Sequence, residues 1–337
     1  MRQRFEAALA GQDIDQPIYA VYDWFVRNRP IDWPSLFEQG LGIIAHADLV
    51  TVERPNARIE EVVTETPQGR RRDVRWITDA GELHEWYLGE WRQEHLIKQP
   101  ADYRIMRRAL EDRRIRPAPE IYEQVDRWVG ARGITLGQLG RTPFQEVQID
   151  MAGLERFSID LADRRAELFE LLELMTAHKL EEFRQAAQGP ARDIKLWENL
   201  SIETMGPAQY RRHLVPIYQR ILDILAGADK RLLVHYDGKL RCIAGEIAAL
   251  DFDGIDSFTE APEGDMTVAE ARAFWPDKFL WLHPNLGCYS LPEREMIGRI
   301  ERMIADASPR RYCLMISEEV PPDWQRAVPA VLRALRK

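Results

Sequence analysis

The sequence predicts an α/β protein: a distorted (β/α)8 TIM barrel with an N-terminal antiparallel β insertion. Three observations predict it. From residue 194 onward five short apolar runs alternate with amphipathic segments, and such strand–helix units need parallel strands joined by helical crossovers. Two further apolar runs, near residues 17 and 134, bring the strands to at least seven, close to closure of a barrel. No G-x-G-x-x-G or P-loop pattern follows any strand, so an open doubly wound sheet would lack its usual phosphate turn.

Residues 2–10 read as a short amphipathic helix stopped by Gly11. Pro17–Tyr22 reads as the first strand, with Pro17 at its opening position, where a missing N–H is tolerated. Pro34–Ile44 reads as a helix with proline in its first turn. Residues 48–91 change character. Ile59–Glu65, Asp73–Thr78 and Glu82–Leu88 alternate apolar and polar residues between Gly69 and Gly81, the pattern of an antiparallel meander. One barrel domain over 1–337 is expected, with a β-rich insertion at 48–91.

Helices follow at 101–113 and 118–130, and Ile134–Leu139 is a short strand. A long amphipathic helix spans 161–187 and stops near Gly189–Pro190. The regular part then begins. Ile194–Trp197, Arg231–His235, Gly254–Phe258, Phe279–His283 and Tyr312–Ile316 are strands. Helices at 207–226, 240–250, 267–274, 292–306 and 322–335 follow them in turn.

Composition narrows the function. Lys and Arg number 46 against 55 Asp and Glu, and a net charge of −9 makes a poor general nucleic-acid binder. The run Arg70-Arg71-Arg72 reads as a solvated turn. Cys242, Cys288 and Cys313 have no C-x-x-C spacing and form no disulfide framework. No stretch approaches the roughly 20 apolar residues of a membrane span, and the N-terminus lacks a signal-peptide core. A cytoplasmic protein is expected, with a homodimer as the default assembly.

The candidate site lies where the strands end. Barrel strands deliver their C-terminal ends to one catalytic mouth. Here five consecutive strands end in Glu198-Asn199, His235-Tyr236-Asp237, Thr259-Glu260, His283-Pro284-Asn285 and Ser317-Glu318-Glu319. A single polar residue after a strand is ordinary loop chemistry. Five His or carboxylate positions in succession point to a site. Such a set can hold a metal or do acid–base work. No G-x-S-x-G elbow is present, so Ser201 and Ser317 carry no sign of activation. Asp23, Arg27 and Arg29 follow the first strand and could meet an anionic substrate, or simply face solvent. Trp24, Trp33, Trp86, Trp91 and Tyr87 could line a pocket or pack the insertion. His213 lies within a helix and reads as packing.

The block Trp197-Glu198-Asn199-Leu200-Ser201, leading to Gly206-Pro207-Ala208-Gln209-Tyr210 and Pro216-Ile217-Tyr218, resembles the uroporphyrinogen decarboxylase superfamily. So do Leu233-Val234-His235-Tyr236-Asp237-Gly238-Lys239-Leu240, Phe252–Ile255, Asp265–Thr267 and Ala269–Arg272. Gln99–Tyr103 and Arg4–Gly11 follow the general pattern as well. The resemblance implies a distorted barrel and one of two activities, decarboxylation or corrinoid-linked methyl transfer. The decarboxylases grip substrate carboxylates through a W-x-M-R-Q-A-G-R-Y stretch. Tyr22–Arg29 keeps arginines but lacks that pattern.

The thiol-methylating members bind zinc through H-x-C and a late Cys. His235 matches the first ligand, Asp237 stands at the Cys, and Glu318 or Glu319 lies near the last. The resemblance therefore implies a methyltransferase with zinc on His235, Asp237 and Glu318, Glu198 and Asn199 joining Asp237 in catalysis. Asp23, Arg27, Tyr236, Glu260 and His283 would line the substrate. A small donor, a methoxylated aromatic being one candidate, would give its methyl group to cobalamin on a partner corrinoid protein. The alternative is a metal-independent decarboxylase that relies on Asp23, Arg27 and Arg29. A degenerate barrel that only binds ligand is a third reading.

Overall fold

A computed structural model describes residues 1–336. Eight parallel strands close into a barrel: β1 Tyr19–Tyr22, β2 Gly42–Asp48, β3 Gly133–Gln138, β4 Asp193–Leu196, β5 Arg231–His235, β6 Gly254–Thr259, β7 Phe279–His283 and β8 Tyr312–Met315. Each pairs with its neighbours in chain order, and β1 closes on β8. Most strand residues are buried, because a parallel barrel is covered on both faces. The barrel belongs to a compact unit of residues 1–49, 118–139 and 188–337.

The eighth strand is β2, which the sequence hid. The expected helix over 34–44 covers only Trp33–Glu38, and Gly40 at φ 92° turns the chain out of it. Gly42-Ile-Ile-Ala-His-Ala is then strand. Burial on both faces removes the apolar–polar alternation that would have marked it. Its Ile43 and Ala45 pack outward on Val26, Phe37, Val125 and Val129.

Two expected helices are also divided. Residues 161–187 are covered by Gly153–Ala162 and Ala166–Gln188, broken where Arg164 takes a left-handed φ of 55°. The helix at 207–226 is interrupted by a π turn at Tyr210–Leu214. Only Ala244–Ala249 is α-helical within 240–250.

Residues 50–117 and 140–187 form a second compact unit. It contains the antiparallel insertion as a four-stranded sheet of Arg58–Thr66, Gly69–Thr78, Gly81–Leu88 and Trp91–Glu94. A separate pair joins Val50–Glu53 to Arg114–Pro117. The arginine run lies within the second strand of the sheet rather than in a turn. Arg71 meets Asp73 and covers the Trp86 ring at 4.3 Å, and Arg72 covers Tyr87 at 3.9 Å. Among the described residues no helix is long and apolar enough to cross a membrane.

Candidate functional site

Alternation along a strand sends every second side chain into the barrel. On β4 this puts Lys195, and Trp197 just beyond it, on one side. Glu198 goes to the other. On β5 it separates His235 from Tyr236. The inward set forms one connected polar cluster. The outward set, fully buried, packs Glu198 and Tyr236 among phenols. Tyr236 Oη bonds Tyr218 Oη at 2.9 Å, Tyr210 Oη lies 3.2 Å from Tyr236 Oη, and Tyr218 bonds Glu198.

Asp256 is the centre of the inward cluster. It is fully buried and accepts from three donors: Lys195 Nζ at 2.5 Å, His235 Nδ1 at 2.6 Å and Tyr22 Oη at 2.5 Å. Burial alone would raise its pKa, but the Lys195 and His235 charges outweigh burial and hold it well below the usual carboxylate range. Burial, reinforced by the Asp256 charge, pushes the Tyr22 phenol well up, so it stays a neutral donor. Lys195 is pulled below its ordinary value by burial, against the opposing pull of Asp256.

The ammonium sits against aromatic rings, 3.4 Å from the Trp197 centroid and 4.8 Å from that of Tyr22. Trp24 stacks on Tyr22 at 4.2 Å and lies 5.7 Å from Trp197. His46 is 3.4 Å from Lys195 Nζ through Nε2 and 3.1 Å from Asp23 Oδ1 through Nδ1. Burial and the Lys195 charge lower His46 to about 4, so it is neutral at pH 7. It therefore accepts from Lys195 and donates to Asp23.

His235 has the opposite electrostatics. Burial disfavours its charge, but Asp237 and Asp256 outweigh burial and raise it to about 9. Its Nδ1 faces Asp256 inside, and its Nε2 lies 3.6 Å from Asp237 Oδ2. Asp237 is 30% exposed and takes a 3.4 Å bond from Asn199 Nδ2. His235 thus presents a charged N–H towards the strand-end side of the cluster.

Tyr22 links this half to His283, whose Nε2 is 3.1 Å from the phenol and whose Nδ1 is 2.8 Å from Glu318 Oε1. Burial would raise Glu318, but His283, His235 and the Ser257 hydroxyl outweigh it and lower the carboxyl to about 2.

Ser257 reaches Glu318 because β6 carries a bulge. Ile255 pairs with Leu280 and Phe258 with Leu282, so Asp256 and Ser257 together oppose one residue of β7. Ser257 takes a left-handed φ of 67°, and both neighbouring side chains reach the cluster instead of alternating away from it. This gives a measurable signature. Glycine relieves the backbone strain and alanine does not. Ser257→Gly should be more stable than Ser257→Ala by about 1 kcal/mol in urea melts, the reverse of ordinary strand preference.

Of the residues expected from sequence, His235, Asp237 and Asn199 come together, and His283 joins them through Tyr22 and Asp256. Asp23 is buried against His46 and Arg27 at 3.1 Å each, and Arg27 covers Trp128 at 4.5 Å. Glu260 accepts from the Val268 backbone N–H at 2.8 Å and so caps the helix Val268–Phe274. Glu198 and Tyr236 lie on the outward side. Lys195, Asp256, Tyr22, His46 and Ser257 are the additions. A readable signal existed for two of them: Lys195 and Asp256 are charges set inside otherwise apolar strands, and such residues are almost never fully buried unless paired.

The zinc implied by the resemblance can be tested against these contacts. Glu318 is held by His283 and Ser257. Among the described residues no three His, Cys, Asp or Glu side chains are grouped so as to hold a metal ion. His235, Asp237 and Glu318 as arranged do not fit a zinc ligand set.

A solved structure shares this fold. A methyltransferase from Methanosarcina mazei matches over 99% of this chain and 98% of its own, with a TM-score of 0.58 and 12% identity. A protein described as a vitamin-B12-independent methionine synthase from Listeria monocytogenes matches over 64% of this chain and 67% of its own, with a TM-score of 0.42 and 14% identity. No known family profile matches the chain, and no curated protein sequence matches it. At 12% identity the likeness to the Methanosarcina enzyme establishes the barrel architecture.

Proposed function

We propose that this chain is a methyltransferase component that moves a methyl group from a small oxygen-linked donor to a reduced corrinoid on a separate protein. One observation carries the reading: His235 lies between two carboxylates, its Nδ1 2.6 Å from Asp256 Oδ2 and its Nε2 3.6 Å from Asp237 Oδ2, and both favour the charged imidazole. Methyl transfer from an ether or alcohol is limited by its leaving group. An alkoxide or phenolate is a poor one, and a proton delivered to the oxygen as the C–O bond breaks makes it a good one. The electron pair of that bond stays on oxygen, which takes the His235 Nε2 proton. The methyl carbon forms its new bond to the incoming nucleophile.

Asp256 keeps the imidazole oriented and its Nδ1 protonated, as the carboxylate of a catalytic triad does. Lys195 and Tyr22 hold Asp256 in place. The rings of Trp24 and Trp197 offer an apolar wall for an aromatic donor. The fold shared with a methyltransferase is consistent with this reading, and so is the sequence resemblance.

The decarboxylase alternative needs cations to grip substrate carboxylates. Arg27 is already paired with Asp23, and Arg29 with Glu319 at 2.7 Å, which weakens that clamp. The experiment is direct. Purified protein is mixed with chemically reduced cobalamin and a panel of methoxyarenes and methanol. Loss of the reduced cobalamin spectrum, with release of the free phenol or water, is the expected result. Release of carbon dioxide from a carboxylated substrate with no methyl transfer would replace this reading with the alternative.

A further inference from the structure

We propose that Lys195 is the resident cation of this site, a built-in ammonium that supplies the positive charge a divalent metal ion would otherwise bring and keeps such an ion off His235. In a histidine-bound metal site, a carboxylate behind the imidazole orients the ring towards the ion. Asp256 has that place behind His235. Its Oδ2 is shared, however: His235 Nδ1 lies at 2.6 Å and Lys195 Nζ at 2.5 Å from the same oxygen. One carboxylate oxygen therefore already sits between two cations.

The ammonium is enclosed on several sides. Lys195 is fully buried, its Nζ rests on the face of Trp197 at 3.4 Å, and Tyr22 and His46 close on it at 4.8 Å and 3.4 Å. Charges this deep are weakly screened, so an incoming dication would feel the ammonium strongly. The protein donors left for such an ion are His235 Nε2 and Asp237 Oδ2, and water would have to complete its shell. His235 Nε2 and Asp237 Oδ2 face each other at 3.6 Å, and the third expected ligand, Glu318, is turned to His283 and Ser257.

The inference rests on the site assigned above but not on methyl transfer, because metal binding is read without turnover. Co2+ is the probe, since a His- and carboxylate-bound tetrahedral ion gives intense visible absorption. Chelator-treated wild type titrated with Co2+ should develop no such band. Lys195→Met removes the ammonium and leaves Asp256 bonded to His235 and Tyr22. It should bind Co2+ about 100-fold more tightly than wild type, and the further change His235→Ala should abolish that gain. Equal affinity in wild type and Lys195→Met would overturn the proposal. So would a stoichiometric metal in wild type that His235→Ala removes, and this wild-type measurement decides the matter even where Lys195→Met does not fold. Loss of methyl transfer with Co2+ behaving as expected would sink the functional reading alone.

Discussion

Asp256→Asn should abolish turnover and destabilise the barrel by about 3–5 kcal/mol, the usual cost of breaking a buried charge pair from one side. In a chain of this size that corresponds to a fall in Tm of roughly 4–7 °C, read by calorimetry. The carboxylate accepts from Lys195, His235 and Tyr22 with no exposure to water. An asparagine offers one neutral oxygen, and its amide N–H would point at one of those donors. Two buried cations then lose their counter-charge, and His235 loses the inner of the two carboxylates that keep it protonated. Both the stability and the acid catalysis fail together, which distinguishes Asp256 from a residue that only packs.

His235→Gln should separate the two effects. Glutamine keeps a hydrogen-bonding side chain near Asp256 but has no acidic proton to give. Methyl transfer should fall by about 10²–10⁴-fold, the usual worth of a positioned general acid. Above pH 9, where the imidazole charge no longer contributes, thermal unfolding should change far less than in Asp256→Asn.

The pH dependence of stability gives a second readout of the same residue. A histidine raised from 6.5 to about 9 contributes stability that is fully present below pH 6.5 and is lost as pH rises through 9. The difference in stability between wild type and His235→Gln should shrink over that window, by an amount on the order of 3 kcal/mol. His46 acts at the other end. Lowered to about 4, it weakens the fold as pH falls from 6.5 towards 4.

The barrel was legible because five strand–helix units recur after residue 194 and each strand reads as a compact apolar run. The second strand was not, because its apolar run Gly42–Ala45 is buried without alternation and follows a genuine proline-initiated helix. Overlooking it concealed His46. The site was legible only in part, for a related reason. Residues after each strand are easily seen as polar, and this found His235, Asp237, His283 and Glu318. It could not tell which side of the strand each occupies. Period-two alternation turns Glu198 and Tyr236 outward and Lys195 inward. The bulge at Ser257 breaks that alternation and brings Asp256 and its neighbour to the same cluster. Such an irregularity leaves no mark in a single sequence.

The central claim is that His235 is a charged acid at neutral pH, held so by Asp256 and Asp237. Nitrogen-15 NMR of histidine-labelled protein measures this directly and needs no substrate. Both His235 nitrogens should be protonated at pH 7, with titration near 9. A His235 that is neutral at pH 7, with Nε2 bare, would contradict the account.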